Sequence, residues 1–524
     1  MFYLTTAIDY TNGSPHIGHA YEKILTDVIA RYRRLRGDEV YFLTGVDQHG
    51  QKVQQTAEKE GISPEEFVER TTEKFSALWE KLQVNYDGWA ETTDERHKSC
   101  VRTILSELKN QGQLYKKAHS GSYSVRQEQF LQERDRDEAG NFGPEWGEVI
   151  EIQEENWYFK LSDHTEWLRE FLEMTPEIII PNFRKAELLN ALEKNSGIDL
   201  CISRPKERLR WGIELPFDEN YVTYVWFDAL INYISFAGYK AEADTNLPNF
   251  EELWPADSRP IHIIGKDILI PAHGVYWFCM LHAMGFTDSQ MPKLLVHGFW
   301  NGLGGDKMSK SLGNIVDPDA LADQFGVEAI RYYLVRDIVT GRDSNFDVNR
   351  LIMLFNTELA NELGNLCNRA LNMSQRFTAG ILSNNGPLTD DELALQKSLA
   401  DSTAAYQTAM DEFDVSKGLE ALNRHVVHCN QYAERTKPWE LNKDPEQKGR
   451  VATVLYHFAE SVAHIAVLIS PVLPEITAKL AEQLNLSELK TLQLADLKWG
   501  LLPDGHLIGQ PKPVFPRIVM EEPT

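Results

Sequence analysis

The chain has 524 residues, of which 42% are hydrophobic and 25% charged, with a net charge of −25. A chain of this length exceeds what one core can organise, so three or more domains are expected, and the acidic balance excludes nonspecific nucleic-acid binding while leaving room for a local basic groove. Five cysteines (Cys100, Cys201, Cys279, Cys367 and Cys429) lie far apart without a CxxC pair, which excludes a disulfide framework and points to a reducing, cytosolic setting.

The chain opens without a basic segment followed by an apolar run, so no signal peptide is expected. Phe2–Ile8 reads as a buried strand and Asp9–Pro15 as a turn-rich loop. From Ile17 the apolar residues Tyr21, Ile24, Leu25, Val28, Tyr32 and Leu35 recur at helical spacing, and Gly37 marks the stop. Val40–Thr44 is the next strand, and this strand–helix–strand order implies a right-handed parallel unit. The loop Gly45–Gly50 then falls at a strand's carboxyl end, where open α/β sheets bind ligands. Residues 116–215 are polar and turn-rich and read as an inserted domain. The α/β pattern returns with strands expected at Tyr221–Phe227, Ile261–Ile264 and Lys293–Val296. Beyond about residue 350 the pattern is helical, until the Gly- and Pro-bearing tail of 501–517. The apolar stretch 462–473 is too short to cross a bilayer, and no membrane partner is expected.

Two clusters carry chemistry. Pro15-His16-Ile17-Gly18-His19 places two imidazoles at a helix start, where backbone N–H groups and the helix dipole favour an anion. Gly18 would let a flat ring approach the backbone. Two incidental loop histidines would read the same way in isolation. Downstream, Lys307-Met308-Ser309-Lys310-Ser311 follows a glycine-rich turn and brings two ammonium groups suited to a triphosphate. Alone it would be a solvated lysine loop; with the histidine pair it forms half of an ATP clamp.

These two motifs resemble the signatures of class I aminoacyl-tRNA synthetases, and the chain is similar to the methionyl-tRNA synthetase family over nearly its whole length. The narrower match rests on Ala7–Gly13, Thr44–Gly50, Tyr224-Val225-Trp226-Phe227-Asp228-Ala229, Gly265–Ile268, Asn365–Arg369 and Lys437-Pro438-Trp439. The resemblance implies a doubly wound Rossmann-type parallel α/β sheet in two halves (1–115 and 216–320). An inserted connective domain (116–215) separates them. A linking region (321–350), an all-helical anticodon-binding bundle (351–510) and a tail (511–524) come after.

It also implies the reaction: ATP-dependent activation of L-methionine to methionyl-adenylate, with Mg2+, then transfer to the 3′ end of tRNA(Met). His16, His19, Lys307 and Lys310 would be catalytic. Pro15, Gly18, Met308, Ser309, Ser311 and Arg204 would join them around ATP. Ala7, Ile8, Tyr10, Asp47, Trp226, Ala229, Tyr233 and His273 would form the methionine pocket, with Asp47 on the ammonium and Tyr10 or His273 offering sulfur a polar contact. His273 lies six residues after Asp267, one more than the family usually has. Asn361, Asn365 and Arg369 recur every four residues as one helical stripe and, with Trp439, would read the anticodon. Many relatives hold zinc through cysteines in the insertion. Here that stretch reads Tyr123-Ser124-Val125-Arg126-Gln127-Glu128, so no structural zinc is expected. A stop at Thr524 leaves out the dimerising domain of some relatives and gives the expectation of a monomer. A class I synthetase for another amino acid, a bare nucleotidyltransferase and a non-enzymatic tRNA-binding protein are the alternatives.

Overall fold

The computed structural model describes residues 1–519 apart from 126–128, 132–134, 138, 196, 242–245, 303–304, 306–307 and 309–315. Its centre is a parallel sheet. Strand β1 (Phe2–Thr6) lies between β3 (Val40–Asp47) and strand Ile261–Gly265. Outward from β3 come β2 (Asp9–Tyr10) and strand Gly88–Glu91. On the other side stand Lys293–His297 and then Ile179–Ile180. The chain leaves β1 toward β3 and returns on the opposite flank, so the strand order reverses beside β1. Such a switch point opens a crevice at the carboxyl ends of the strands.

The insertion carries a four-stranded sheet that includes Leu114–Ser124 and Val149–Phe159. Within the span 116–215, however, Ile179–Ile180 rejoins the central sheet. Tyr123 is fully buried there, with the guanidinium carbons of Arg208 and Arg204 at 4.4 and 5.7 Å from its ring. Among the described residues no group of three or more His, Cys, Asp or Glu side chains could hold a metal ion.

The stretch Tyr221–Phe227 differs from expectation. Asp218–Thr223 is a strand, but of a separate antiparallel sheet, and Val225–Leu230 is a short helix. Alternating aromatic and β-branched residues suggest a strand, yet the chain turns helical from Val225, and Asp228 on that helix lies buried between two histidines.

Helix α1 (Ile17–Leu35) buries polar as well as apolar residues: Glu22, Lys23, Thr26 and Asp27 all lie inside. Each is paired. Asp27 meets Arg331 at 2.6 Å, with both side chains fully buried. The same guanidinium donates to the carbonyls of Leu82, Pro471 and Val472. One arginine thus binds together the first sheet half, the linking region and the helical bundle. The bundle's central helix, Lys448–Ile469, is long and apolar enough to cross a membrane by composition, longer than the apolar stretch alone suggested. Its apolar window is 94% buried among its neighbours, as a core helix should be.

Candidate active site

A cavity of about 430 Å3 occupies the crevice. It is lined by the expected methionine-pocket residues Ala7, Ile8, Tyr10, Asp47, Trp226, Ala229, Tyr233 and His273, and by His16, Gly18, His19 and Met308. They come from the ends of β1, β2 and β3, the start of α1, the short helices Val225–Leu230 and Asn232–Ser235, the π-helical segment Leu269–Trp277 and the chain beyond Lys293–His297. Lys307, Ser309, Lys310 and Ser311 lie outside the described residues. Pro15 is half-buried just before α1 and is not among the lining residues.

At the start of α1 the two histidines interlock. Gly18 N–H donates to His16 Nδ1 and His16 N–H donates to His19 Nδ1, both at 3.1 Å, and the rings stack at 3.7 Å. Ile17 N–H is taken by the Val316 carbonyl. The backbone donors expected to greet an anion are therefore engaged inside the protein. Each Nδ1 accepts a hydrogen bond, so each ring is neutral and carries its own proton on Nε2. Burial, with His16 and Lys23 close by, holds His19 well below the usual histidine range. A Cβ on Gly18 would sit 3.0 Å from the His16 ring, so this glycine makes room for the interlock as well as for a ligand.

The side of the cavity formed by Tyr10, Trp226, Tyr233 and His273 is also prearranged. His273 Nδ1 faces the Ile268 carbonyl at 2.9 Å and can only donate to it, so Nε2 accepts the Tyr233 hydroxyl at 2.7 Å. Burial lowers His273 to about 4, which keeps it neutral. Both nitrogens are committed, so His273 orients Tyr233 and has no donor left for a thioether. Tyr233 stacks on His262 at 4.0 Å, and Trp226 meets His273 edge-on. Gly50, at φ 116, is required beside Tyr10: a Cβ there would lie 2.5 Å from the Tyr10 hydroxyl.

Behind this wall sits a triad whose wiring the sequence did not reveal. Asp228 accepts from His49 Nδ1 at 2.8 Å and from His97 Nε2 at 3.1 Å, all three buried. Burial alone would raise its carboxyl; the two histidines overcome this and hold it at about 2. The triad fastens the loop that follows Asp47 at the end of β3 to the helix that carries Trp226.

Arg204 does not line the cavity. It is buried, its guanidinium 4.3 Å from the Tyr224 ring and bonded to the Ser203 carbonyl at 2.7 Å. The anticodon stripe is divided as well. Asn361 falls in a π-helical segment, Phe355–Gly364, whose wider turn shifts the helical phase of the residues after it. Asn361 and Asn365 line a groove with Pro513 and Phe515 of the tail. Arg369 opens on a second groove, bonds Glu434 at 2.8 Å and lies over the Trp439 ring at 5.0 Å.

Comparison with known proteins agrees with this geometry. A family model described as tRNA synthetases class I (M) matches residues 2–139 and 146–371. A second, the anticodon binding domain of methionyl tRNA ligase, matches residues 382–524. Methionine–tRNA ligase of Caldanaerobacter subterraneus subsp. tengcongensis is 38% identical, covering 99% of this chain and 79% of that protein. The Bacillus subtilis enzyme is 37% identical, covering 99% and 78%. The structure of Mycobacterium tuberculosis methionyl-tRNA synthetase in complex with methionyl-adenylate matches with a TM-score of 0.89 at 35% identity, covering 98% of this chain and 99% of that one. The chain belongs to the methionyl-tRNA synthetase family of class I aminoacyl-tRNA synthetases.

Proposed function

We propose a division of labour within the cavity for the methionine activation and tRNA charging that this family membership brings. The methionine carboxylate attacks the α-phosphate of ATP, which enters as its magnesium salt, and pyrophosphate leaves. The 3′-terminal ribose hydroxyl of tRNA(Met) then attacks the activated carbonyl and releases AMP. No side chain acts as nucleophile, so rate comes from positioning and from stabilising charge on phosphate.

The observation that carries this reading is the interlocked histidine pair. Two neutral rings with Nε2–H donors meet charge as it builds on the phosphate and need no reorganisation to do so. Lys307 and Lys310 add positive charge at the leaving pyrophosphate. Asp47 holds the methionine ammonium. Tyr10, Trp226 and Tyr233 enclose the thioether, a contact worth roughly 0.3–1.5 kcal/mol per ring. Arg204 acts from behind, through Tyr224, rather than on ATP directly. The five cysteines form no disulfide, which suits a cytosolic enzyme.

Pyrophosphate exchange measured across the amino acids tests the assignment. Exchange is expected with methionine; activity with leucine or valine in its place would overturn it. Trp439, half-buried under Arg369, is proposed to stack on an anticodon base. W439A should lower charging of tRNA(Met) roughly tenfold or more, in keeping with about 1–3 kcal/mol per stacked base, while pyrophosphate exchange is retained. Unchanged charging would remove Trp439 from the anticodon site.

A further inference from the structure

We propose that Asp9 is a substrate-binding residue of this cavity, its Oδ2 accepting a hydrogen bond from an amino group of methionine or of adenine. The proposal rests on the activation reading given above. Asp9 stands on β2 and is 4% exposed, yet it lines the cavity beside Ala7 and Glu22. Its other oxygen, Oδ1, accepts from Lys23 at 2.9 Å. Lys23 spends its remaining two protons on the Ala7 carbonyl and on Glu22 Oε1, both at 2.9 Å. Being wholly buried, it cannot swing over to serve Oδ2 as well. Oδ2 itself is buried, and no group among the described residues donates to it.

A buried carboxylate oxygen without a donor costs stability. Here the cost is visible. Burial raises the Asp9 carboxyl to about 7, Lys23 opposes this and Glu22 adds to it. One buried ammonium shared with Glu22 is not enough to hold the charge on Asp9. A second donor would complete it, and Asp9 borders the cavity, from which a bound ligand can bring one. Glu22 cannot supply it: against the effect of burial, Lys23 and His297 hold its carboxyl below the usual range, so it carries no proton to donate.

The test is D9N. The amide keeps an oxygen for Lys23 and sets an NH2 where Oδ2 stood, a donor against a donor. Binding is measured by calorimetry in two separate arms: methionine alone, and a nonhydrolysable ATP analogue alone. A loss of about tenfold or more in one arm, with the other unchanged, is expected and identifies which amino group Asp9 meets. Loss in neither arm overturns the proposal. So does equal loss in both, which would make Asp9 a general support of the loop. Should D9N fail to fold, D9E is read in the same two arms, since it keeps a carboxylate for Lys23 and displaces the second oxygen by one methylene. Methionine binding by the unsubstituted chain tests the activation reading on its own, so the two can fail separately.

Discussion

H19A is expected to lower methionine-dependent pyrophosphate exchange by about 10²–10³-fold, with the KM for methionine nearly unchanged. The magnitude is that of removing one preorganised donor from a developing oxyanion. The split comes from position. His19 sits at the start of α1, where the phosphates are proposed to bind, while Asp47, Trp226 and Tyr233 line the part of the cavity proposed for methionine. H19A also removes the acceptor that holds His16 N–H, so part of the loss comes from a His16 ring no longer fixed. H19N, which restores an acceptor without the imidazole donor, separates the two contributions. A kcat for H19A within threefold of the unsubstituted enzyme would rule out a phosphate role for this ring.

D228N is expected to destabilise the fold by about 3–5 kcal/mol, the range for breaking a buried charge network by removing one partner. The asparagine nitrogen would face a histidine N–H that now has nothing to donate to. Denaturant titration at neutral pH reads the difference. The effect should fade in acid. The folded carboxyl titrates at about 2, below its usual 3.8, so the folded state favours the ionised form. The stability this supplies is complete above about pH 4 and is lost as pH falls toward 2. D228N lacks that dependence, so the gap between the two proteins should narrow over this window. The shift accounts for about 2 kcal/mol of the gap. A gap as wide at pH 2 as at pH 7 would therefore show that ionisation of Asp228 is not its source, and no gap at pH 7 would show that the triad does not bear on stability.

How much of the site was legible in the sequence depended on the distance along the chain between its parts. His16 and His19 are three residues apart with a glycine between, and local spacing was enough to place them at a helix start. That spacing did not reveal that the rings would take up the amides themselves. His97 and Asp228 are 131 residues apart, and nothing local marks His97, which falls on the inner face of an ordinary amphipathic helix. Lys23 was hidden in the same way, as one polar residue within the α1 repeat. The 221–227 segment misled because its alternating pattern was real but served a strand only as far as Thr223. The stripe of Asn361, Asn365 and Arg369 assumed one continuous α-helical phase, and a π-helical segment is invisible to a count of fours. Arg204 was placed on ATP by resemblance, whereas its aromatic neighbours hold it one layer behind.

The single arginine at 331 bears on which parts relatives could exchange. Its guanidinium takes carbonyls from both sides of the boundary, Leu82 on one and Pro471 and Val472 on the other, with Asp27 as counter-ion. A catalytic half transplanted onto a foreign helical bundle would arrive with a buried cation missing half its acceptors. The anticodon-reading part of this chain is therefore not an interchangeable adaptor. A working chimera must import the backbone turn at 471–472 along with the bundle, or replace Arg331 and Asp27 together with apolar residues of matching volume.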